Sequence, residues 1–290
     1  MIKIAFLGSD STHTEAFARL INFSNSKFYE YARVVSIYGE NLEETKRKAK
    51  ELNILKHAIS IEDALEGVDL AFVIGRFGDS HYLPTKAAIL KNIPVFVDKP
   101  FTLSVEESKD LIALSSKLMV PMFSSSPLRF SKEINVIKTL LLDIGNDLIN
   151  VCVKVPANCT DLGDDPRLNS VYFYGIHGIE ILLEIIGYEF INITIDNNKT
   201  FITTCLHTPN GNINKFELIR NASEFYWVEI HTKKSNYFYN IELDGTYYEN
   251  EIEYILNWKN NDTKVIPLIS THKCISILNE IELSEVNFIK

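Results

Sequence analysis

Short apolar runs alternate with amphipathic stretches through the first part of the chain. The runs predict strands at residues 2–7, 33–38, 70–74, 95–97 and 120–124. The amphipathic stretches predict helices at residues 13–23, 41–52, 60–65, 81–91 and 104–118. Because each strand is an unbroken apolar run rather than an alternating one, the pattern predicts a parallel sheet that helices cover on both faces.

The pattern changes after Pro127. A helix is expected at residues 131–142, a strand at 148–155 and an apolar helix at 174–186, followed by mostly strand patterns over 191–268 and a closing helix at 272–283. Successive antiparallel strands indicate a second domain of α+β type. The predicted fold is therefore an N-terminal doubly wound Rossmann-type parallel sheet in residues 1–122, and a C-terminal α+β domain with a mostly antiparallel sheet in residues 123–290.

Two helices of the first domain carry local signals of their own. Thr12 and Glu15 have the spacing of a capping box, which predicts that Thr12 opens the first helix. The second helix is rich in charge, and four of its residues are expected on a solvated face: Glu43, Glu44, Lys46 and Lys48.

Composition excludes several classes of protein. With 290 residues and 46% hydrophobic residues, the chain is long and apolar enough for one or two cored domains. A formal charge of −9 argues against nucleic acid as a partner. The amino terminus reads as a strand, and no run is long enough to span a bilayer, so we expect a cytoplasmic protein without a membrane partner. The cysteines have no C-x-x-C spacing and are expected to be buried free thiols: Cys152, Cys159, Cys205 and Cys274.

The segment Ile93–Pro100 ends an apolar strand with an acid, a lysine and a proline. Open α/β sheets bind their ligands just beyond the carboxyl ends of their strands. Proline removes a backbone donor and stops the ladder, so Lys99 is expected at a fixed strand end, where its ammonium group can hold a substrate oxygen. Alone, Lys99 could instead form an ion pair with Asp98 or with an acid on a helix.

The turn after the first strand is compared with the G-x-G-x-x-G turn that binds dinucleotides. Gly8 fits its first position, but Asp10 and His13 stand at the second and third glycines. A carboxylate there repels a pyrophosphate, whereas the helix dipole and the hydroxyls of Ser11 and Thr12 attract it. The turn predicts a dinucleotide bound in a modified way, and the alternative is a tight turn in which Asp10 caps the helix.

A Rossmann-type unit often carries an acid near the end of its second strand, which binds the ribose hydroxyls. Glu40 is the nearest candidate, and an exposed loop glutamate is the alternative. Because no arginine follows Glu40 closely, NAD is favoured over NADP.

Taken together, these segments resemble the Gfo/Idh/MocA family of glucose-fructose oxidoreductase and inositol dehydrogenase. The strand and turn that end in His81 and the segment Asp98-Lys99-Pro100 are similar to the family's turn and its E-K-P segment. The helix Gly175–Gly187 is similar to the family's D-x-G-x-H-x-x-D helix, and Arg129-Phe130 resembles the pair that opens the second domain.

This resemblance implies a hydride transfer between NAD or NADP and a sugar, polyol or sugar derivative. It implies that His177 is the acid/base and that Lys99 holds the reacting oxygen, with Arg129 among the substrate contacts. The cofactor contacts are then expected from Gly8, Asp10, Ser11, Thr12, His13, Glu40, His81, Asp98 and Lys99. We expect a homodimer or homotetramer, because an antiparallel sheet with one face uncovered by helices would suit a symmetric interface, as in many relatives.

One departure from the family pattern concerns the histidine. Phe173 stands where the family has an aspartate four residues before its histidine, which leaves Tyr174 and Glu180 as polar neighbours of His177 on the helix. Tyr174 is therefore a third candidate for catalysis. Two other functions stay open: a non-redox sugar- or nucleotide-binding or regulatory protein on the same fold, and a metal-assisted enzyme that uses Asp10, His13, His81 and His177.

Overall fold

Residues 1–158, 165–259 and 266–289 are described by the computed structural model of the chain. They form two compact units. The first contains residues 1–125 and the described part of 248–271, and the second contains residues 126–247 and the chain from residue 272 onward. This division gives each unit its own sheet, but the functional assignment to a cofactor domain and a substrate domain stays a prediction.

The first unit is built on a parallel sheet. Its strands are β1 (Ile2–Leu7), β2 (Ala32–Tyr38), β3 (Lys56–His57), β4 (Leu70–Val73), β5 (Val95–Asp98) and β6 (Met122–Ser125). Its helices are α1 (Thr12–Asn22), α2 (Leu42–Glu51), α3 (Ile61–Ala64), α4 (Tyr82–Leu90) and α5 (Val105–Leu118). In the described chain the six strands lie in the order β3-β2-β1-β4-β5-β6, all parallel. This is a Rossmann-type doubly wound sheet, as the sequence predicts.

The apolar runs explain this sheet, because β4 and β5 are buried along their whole length. Aromatic side chains of these strands pack against one another, and the rings of Phe72 and Phe96 meet edge to face with their centroids 5.2 Å apart. Two local predictions are wrong. Ser11, not Thr12, caps α1, since its hydroxyl accepts the backbone N–H of His13. Lys48 is buried rather than solvated, and its ammonium group lies 3.5 Å from Glu15.

The second unit starts with α6 (Lys132–Ile144) and β7 (Leu148–Pro156), followed by α7 (Val171–Ile186). Strands β8 (Asn192–Asn197), β9 (Phe201–His207), β10 (Ile213–Ile219), β11 (Trp227–Thr232) and β12 (Asn236–Asn240) come next. The described strands form a sheet in the order β12-β11-β7-β10-β9-β8, in which the β7–β10 pair is parallel and the other pairs are antiparallel. The predicted mostly antiparallel sheet is confirmed.

Two further helices close the chain: α8 (Thr246–Lys259) and α9 (Leu268–Ile289). The prediction of strand patterns up to residue 268 is therefore wrong for residues 246–259. The buried residues Ile252, Ile255 and Leu256 recur with a helical period there. Among the described residues, no helix is long and apolar enough to cross a membrane.

The cysteines follow the prediction only in part. Cys152 and Cys274 are buried free thiols, whereas Cys205 is free but half-buried. Burial raises the pKa of Cys152 to about 12, and it also raises the pKa of Cys274. Cys159 lies outside the described residues.

Candidate functional site

The turn between β1 and α1 passes close to the turn that follows β4. Gly8 has φ +132°, and a Cβ atom there would lie 2.3 Å from the backbone nitrogen of Gly75. Only glycine fits this position, because both the backbone conformation and the neighbouring chain exclude a side chain. The strand order reverses between β1 and β4, and doubly wound sheets bind dinucleotides at such a reversal.

Asp10 links these two turns instead of capping the helix. Its Oδ1 atom accepts the backbone N–H of Arg76 at 3.2 Å, and the side chain is exposed. The alternative in which Asp10 caps α1 is wrong, because Ser11 fills that place. Thr12 is the exposed first residue of α1, and Glu40 is exposed just after β2. Their cofactor contacts stay predictions.

His13, at the position of the third glycine, turns its side chain toward the end of β5. Its Nδ1 atom lies 2.6 Å from Oδ2 of Asp98, and both residues are buried. The ring also packs against the rings of Phe17 and Tyr248, at centroid distances of 5.4 and 5.1 Å. The His13 ring therefore lies beside the sheet, away from the turn formed by residues 8–12.

Asp98 is almost completely buried, with 1% of its surface exposed. Burial alone raises the pKa of its carboxyl group, but the charges of His13, Lys99 and His81 lower it, and the net shift is downward. Asp98 is therefore held as a carboxylate at the carboxyl end of β5. Lys99 follows it directly and is also buried, at the strand end that the sequence predicts.

His81 is fully buried and binds the backbone through both ring nitrogens. Nδ1 lies 2.8 Å from the carbonyl oxygen of Pro100, and Nε2 lies 2.9 Å from that of Gly75. These contacts fasten the segment after β5 to the turn after β4, which favours a structural role for His81. Its part in cofactor binding stays a prediction. In the described part of the chain, no three histidine, cysteine or acidic side chains group as metal ligands.

These residues fit a dinucleotide at the β1 turn in most respects. The glycine that the turn requires is present, and α1 directs its amino terminus to the same edge of the sheet. The side chain at the third glycine position is withdrawn toward Asp98. Asp10 alone opposes the phosphates, and its charge is only partly offset by the N–H of Arg76.

The second unit carries its own buried polar cluster on α7. Gly178 allows this helix to lie close to the sheet, since a Cβ atom there would lie 2.5 Å from the ring of Phe216. His177 is buried, and its Nδ1 atom is 2.6 Å from the hydroxyl of Ser126. The ring of Tyr226 packs against His177 at a centroid distance of 5.5 Å.

Glu180 lies one helical turn beyond His177 and is paired with Arg129. Its Oε2 atom accepts the Nε–H of Arg129 at 3.1 Å and the backbone N–H of Ser126 at 2.7 Å. Nη1 of Arg129 donates to Glu184 at 2.8 Å. Burial tends to lower the pKa of Arg129, but the charges of Glu180 and Glu184 raise it above its ordinary value.

The structure thus shows which candidate residues come together within each unit. In the first unit His13, Asp98 and Lys99 gather at the end of β5. In the second, Arg129 and His177 are joined through Ser126 and Glu180. Tyr174 is buried, with its ring 5.1 Å from that of Phe173. The assigned catalytic and substrate roles of these residues stay predictions.

Sequence reasoning missed Ser126 and Glu184. The serine before Pro127 is a helix-capping signal, and its hydroxyl accepts the N–H of Leu128 at the start of a short 3-10 helix. That signal could have marked Ser126 as an ordered residue. Nothing in the sequence indicates its contact with His177, which is 51 positions away.

Comparison with known proteins gives one family and a group of similar folds. Residues 2–124 match the Gfo/Idh/MocA family, described as an oxidoreductase family with an NAD-binding Rossmann fold. No curated protein matches the chain.

Among solved structures, scyllo-inositol dehydrogenase from Lactobacillus casei has a TM-score of 0.82 at 14% identity, over 99% of this chain and 97% of that one. The same enzyme with bound NAD(H) and scyllo-inositol has a TM-score of 0.76 at 14% identity, over 96% and 95%. UDP-N-acetylglucosamine 3-dehydrogenase from Acidithiobacillus ferrooxidans has a TM-score of 0.77 at 14% identity, over 97% and 96%. At such identities the likeness concerns the fold.

Proposed function

We propose that this protein is an NAD(P)-dependent oxidoreductase, because residues 2–124 match the Gfo/Idh/MocA oxidoreductase family. Its substrate is a sugar, polyol or sugar derivative, and the reaction moves a hydride between the substrate carbon and the nicotinamide. The proposal depends mainly on the position of Lys99, which is buried directly after the Asp98 carboxylate at the carboxyl end of β5. The similar fold of an inositol dehydrogenase with bound NAD(H) and scyllo-inositol supports the substrate class.

The β1 turn holds the cofactor in this proposal. The close approach at Gly8 and the amino terminus of α1 offer backbone N–H groups and a positive dipole end to the pyrophosphate. Glu40 binds the ribose hydroxyls, which favours NAD over NADP. The nicotinamide supplies the hydride acceptor or donor when the cofactor is bound.

In this proposal Lys99 and His177 each have one chemical role. As an alcohol loses its hydride it must also lose its hydroxyl proton, and a nearby cation stabilises the developing alkoxide. The ammonium group of Lys99 supplies that cation. Nδ1 of His177 contacts Ser126, so Nε2 is the atom that takes or returns the proton. An imidazole suits this role because it titrates near neutral pH.

The test is kinetic and uses two variants. Lys99→Met removes the cation and His177→Ala removes the proton acceptor, and each should lower turnover by about a hundredfold or more. Reduced-cofactor fluorescence should still report binding by both variants. Lys138→Met is a matched control, since Lys138 is 49% exposed and has no role in the proposed reaction, and turnover should stay unchanged.

A non-redox binding protein on the same fold is the second candidate. The exposed Asp10 beside the β1 turn favours it, because this carboxylate weakens phosphate binding. The two functions separate in one comparison. If a sugar or polyol binds while no member of a substrate panel gives cofactor turnover, the binding function replaces the redox proposal.

A further inference from the structure

The hydroxyl of Ser126 stands where His177 needs a partner that orients its ring. Phe173, one turn before His177 on α7, has no polar group. Ser126 reaches Nδ1 of His177 from a different part of the chain, at 2.6 Å and within a buried region. A histidine acts as acid or base only when its ring is held in a defined orientation and tautomer. The Ser126 hydroxyl meets that requirement.

Ser126 is itself held in place by two hydrogen bonds, and a third bond holds the glutamate that it contacts. Its backbone N–H donates to Glu180 at 2.7 Å, and its Oγ atom accepts the N–H of Leu128 at 3.3 Å. Arg129, three residues later, donates to the same Glu180 oxygen at 3.1 Å. Because Glu180 and His177 lie on one face of α7, these bonds fix the Ser126 hydroxyl relative to the imidazole.

We propose that Ser126 is the positioning residue of His177, in place of a carboxylate at position 173. This inference rests on the proposed acid/base role of His177. A carboxylate can only accept the Nδ1–H bond, whereas a hydroxyl can donate or accept. Oγ of Ser126 already accepts one N–H and keeps a second lone pair and its own proton. It can therefore accept the Nδ1–H of His177 in both states of the ring: the neutral ring, whose bare Nε2 accepts the alcohol proton, and the imidazolium, whose Nε2 returns that proton when a carbonyl is reduced.

The first test is spectroscopic and needs no substrate. The full chain is labelled isotopically at histidine, and the ring nitrogens of His177 are assigned by comparison with His177→Gln. Ser126→Ala should shift the Nδ1 resonance, and Ser126→Thr, which keeps the hydroxyl, should largely restore it. Ser131→Ala is the matched control, since Ser131 is also buried and its hydroxyl makes no hydrogen bond to the described residues. An unmoved Nδ1 resonance in Ser126→Ala would overturn the inference.

The second test is a double-mutant cycle on turnover. Ser126→Ala should lower kcat about tenfold with little change in the KM for the cofactor, while Ser126→Thr stays close to the parent. In the His177→Ala background Ser126→Ala should cost nothing more, because its partner is gone. An equal loss in both backgrounds would show a merely structural serine and overturn the inference.

Restoring the carboxylate gives an independent check. In the Phe173→Asp background the hydroxyl should become dispensable, and the loss caused by Ser126→Ala should fall to about twofold. If Ser126→Ala still lowers kcat tenfold in the Phe173→Asp background, the aspartate does not replace the hydroxyl, and the inference is contradicted. If His177→Ala retains full turnover, the proposed function fails, whereas the nitrogen resonances still decide whether Ser126 positions the ring.

Discussion

Replacing Arg129 tests whether the buried ion pair on α7 holds this part of the second unit together. The Arg129 and Glu180 side chains are 4% and 2% exposed, with Nε 3.1 Å from Oε2. Arg129→Met fills a similar volume but leaves Glu180 buried without its cation. Breaking a buried pair in this way costs about 3–5 kcal/mol of unfolding free energy. Because Glu180 keeps the N–H of Ser126 at 2.7 Å, we expect the lower end of this range.

The pH dependence of this loss has a defined sign. Without Arg129, burial raises the pKa of Glu180 in the folded state above its value in the unfolded chain. Protonation then favours the folded state, so the destabilisation should be largest near about pH 7 and should shrink toward about pH 5. The double variant Arg129→Met with Glu180→Met should recover part of the loss, because it leaves no uncompensated charge.

Urea unfolding measures this free energy through tryptophan fluorescence. Trp227 lies in the second unit and Trp258 in the first, so a Trp258→Phe background isolates the signal of the second unit. Lys138→Met is the control, since Lys138 is 49% exposed and pairs with Glu184, and its loss should cost less than about 1 kcal/mol. If Arg129→Met costs no more than this control, the reasoning about the buried pair is refuted.

Three other substitutions test the two clusters separately. Asp10→Gly should tighten NAD binding about fivefold by calorimetry, because it removes an exposed carboxylate beside the phosphates, and weaker binding would show that Asp10 is a positive contact. Phe173→Asp should raise the pKa of His177 and move the acid limb of the pH–rate profile upward, whereas an unmoved limb would exclude contact between them. Asp98→Asn should lower the free energy of unfolding, with the full difference from the parent present at about pH 6. This difference should shrink as the pH falls through the lowered pKa of Asp98, and a difference that does not change with pH would contradict the ionised state of Asp98.

The sequence predicts the first unit well because its signals are local. Unbroken apolar runs bounded by helices are sufficient for a parallel sheet, and β1 is found at Ile2–Leu7 where its run predicts it. Pro100 stops the ladder, so the position of Lys99 just after β5 also follows from neighbouring residues.

The sequence analysis missed helix α8 because its residue types favour a strand, whereas the spacing of its buried residues is that of a helix. Tyr247, Tyr248, Tyr254 and Trp258 favour a strand by residue type. Its buried aliphatic residues recur at helical spacing, and burial on one face determines the observed structure. In this segment the spacing of the apolar residues predicts the structure better than the strand preference of the residue types does.

The polar clusters could not be derived from the chain alone. His13 meets Asp98 because the start of α1 lies near the carboxyl end of β5, and Ser126 meets His177 because the 3-10 segment after β6 lies against α7. Such contacts depend on tertiary packing between distant segments. Residue types and family likeness single out His177 and Lys99, but they do not reveal Ser126.

Hydride transfer itself is the most direct test of the proposed function. The purified chain is mixed with NAD or NADP and a panel of inositols, sugars and nucleotide sugars, and the absorbance of reduced nicotinamide is followed over time. We predict that at least one panel member reduces the cofactor, faster with NAD than with NADP, and that Lys99→Met lowers this rate by about a hundredfold or more. Binding of a panel member without any cofactor reduction, or equal rates for parent and Lys99→Met, would contradict the oxidoreductase proposal.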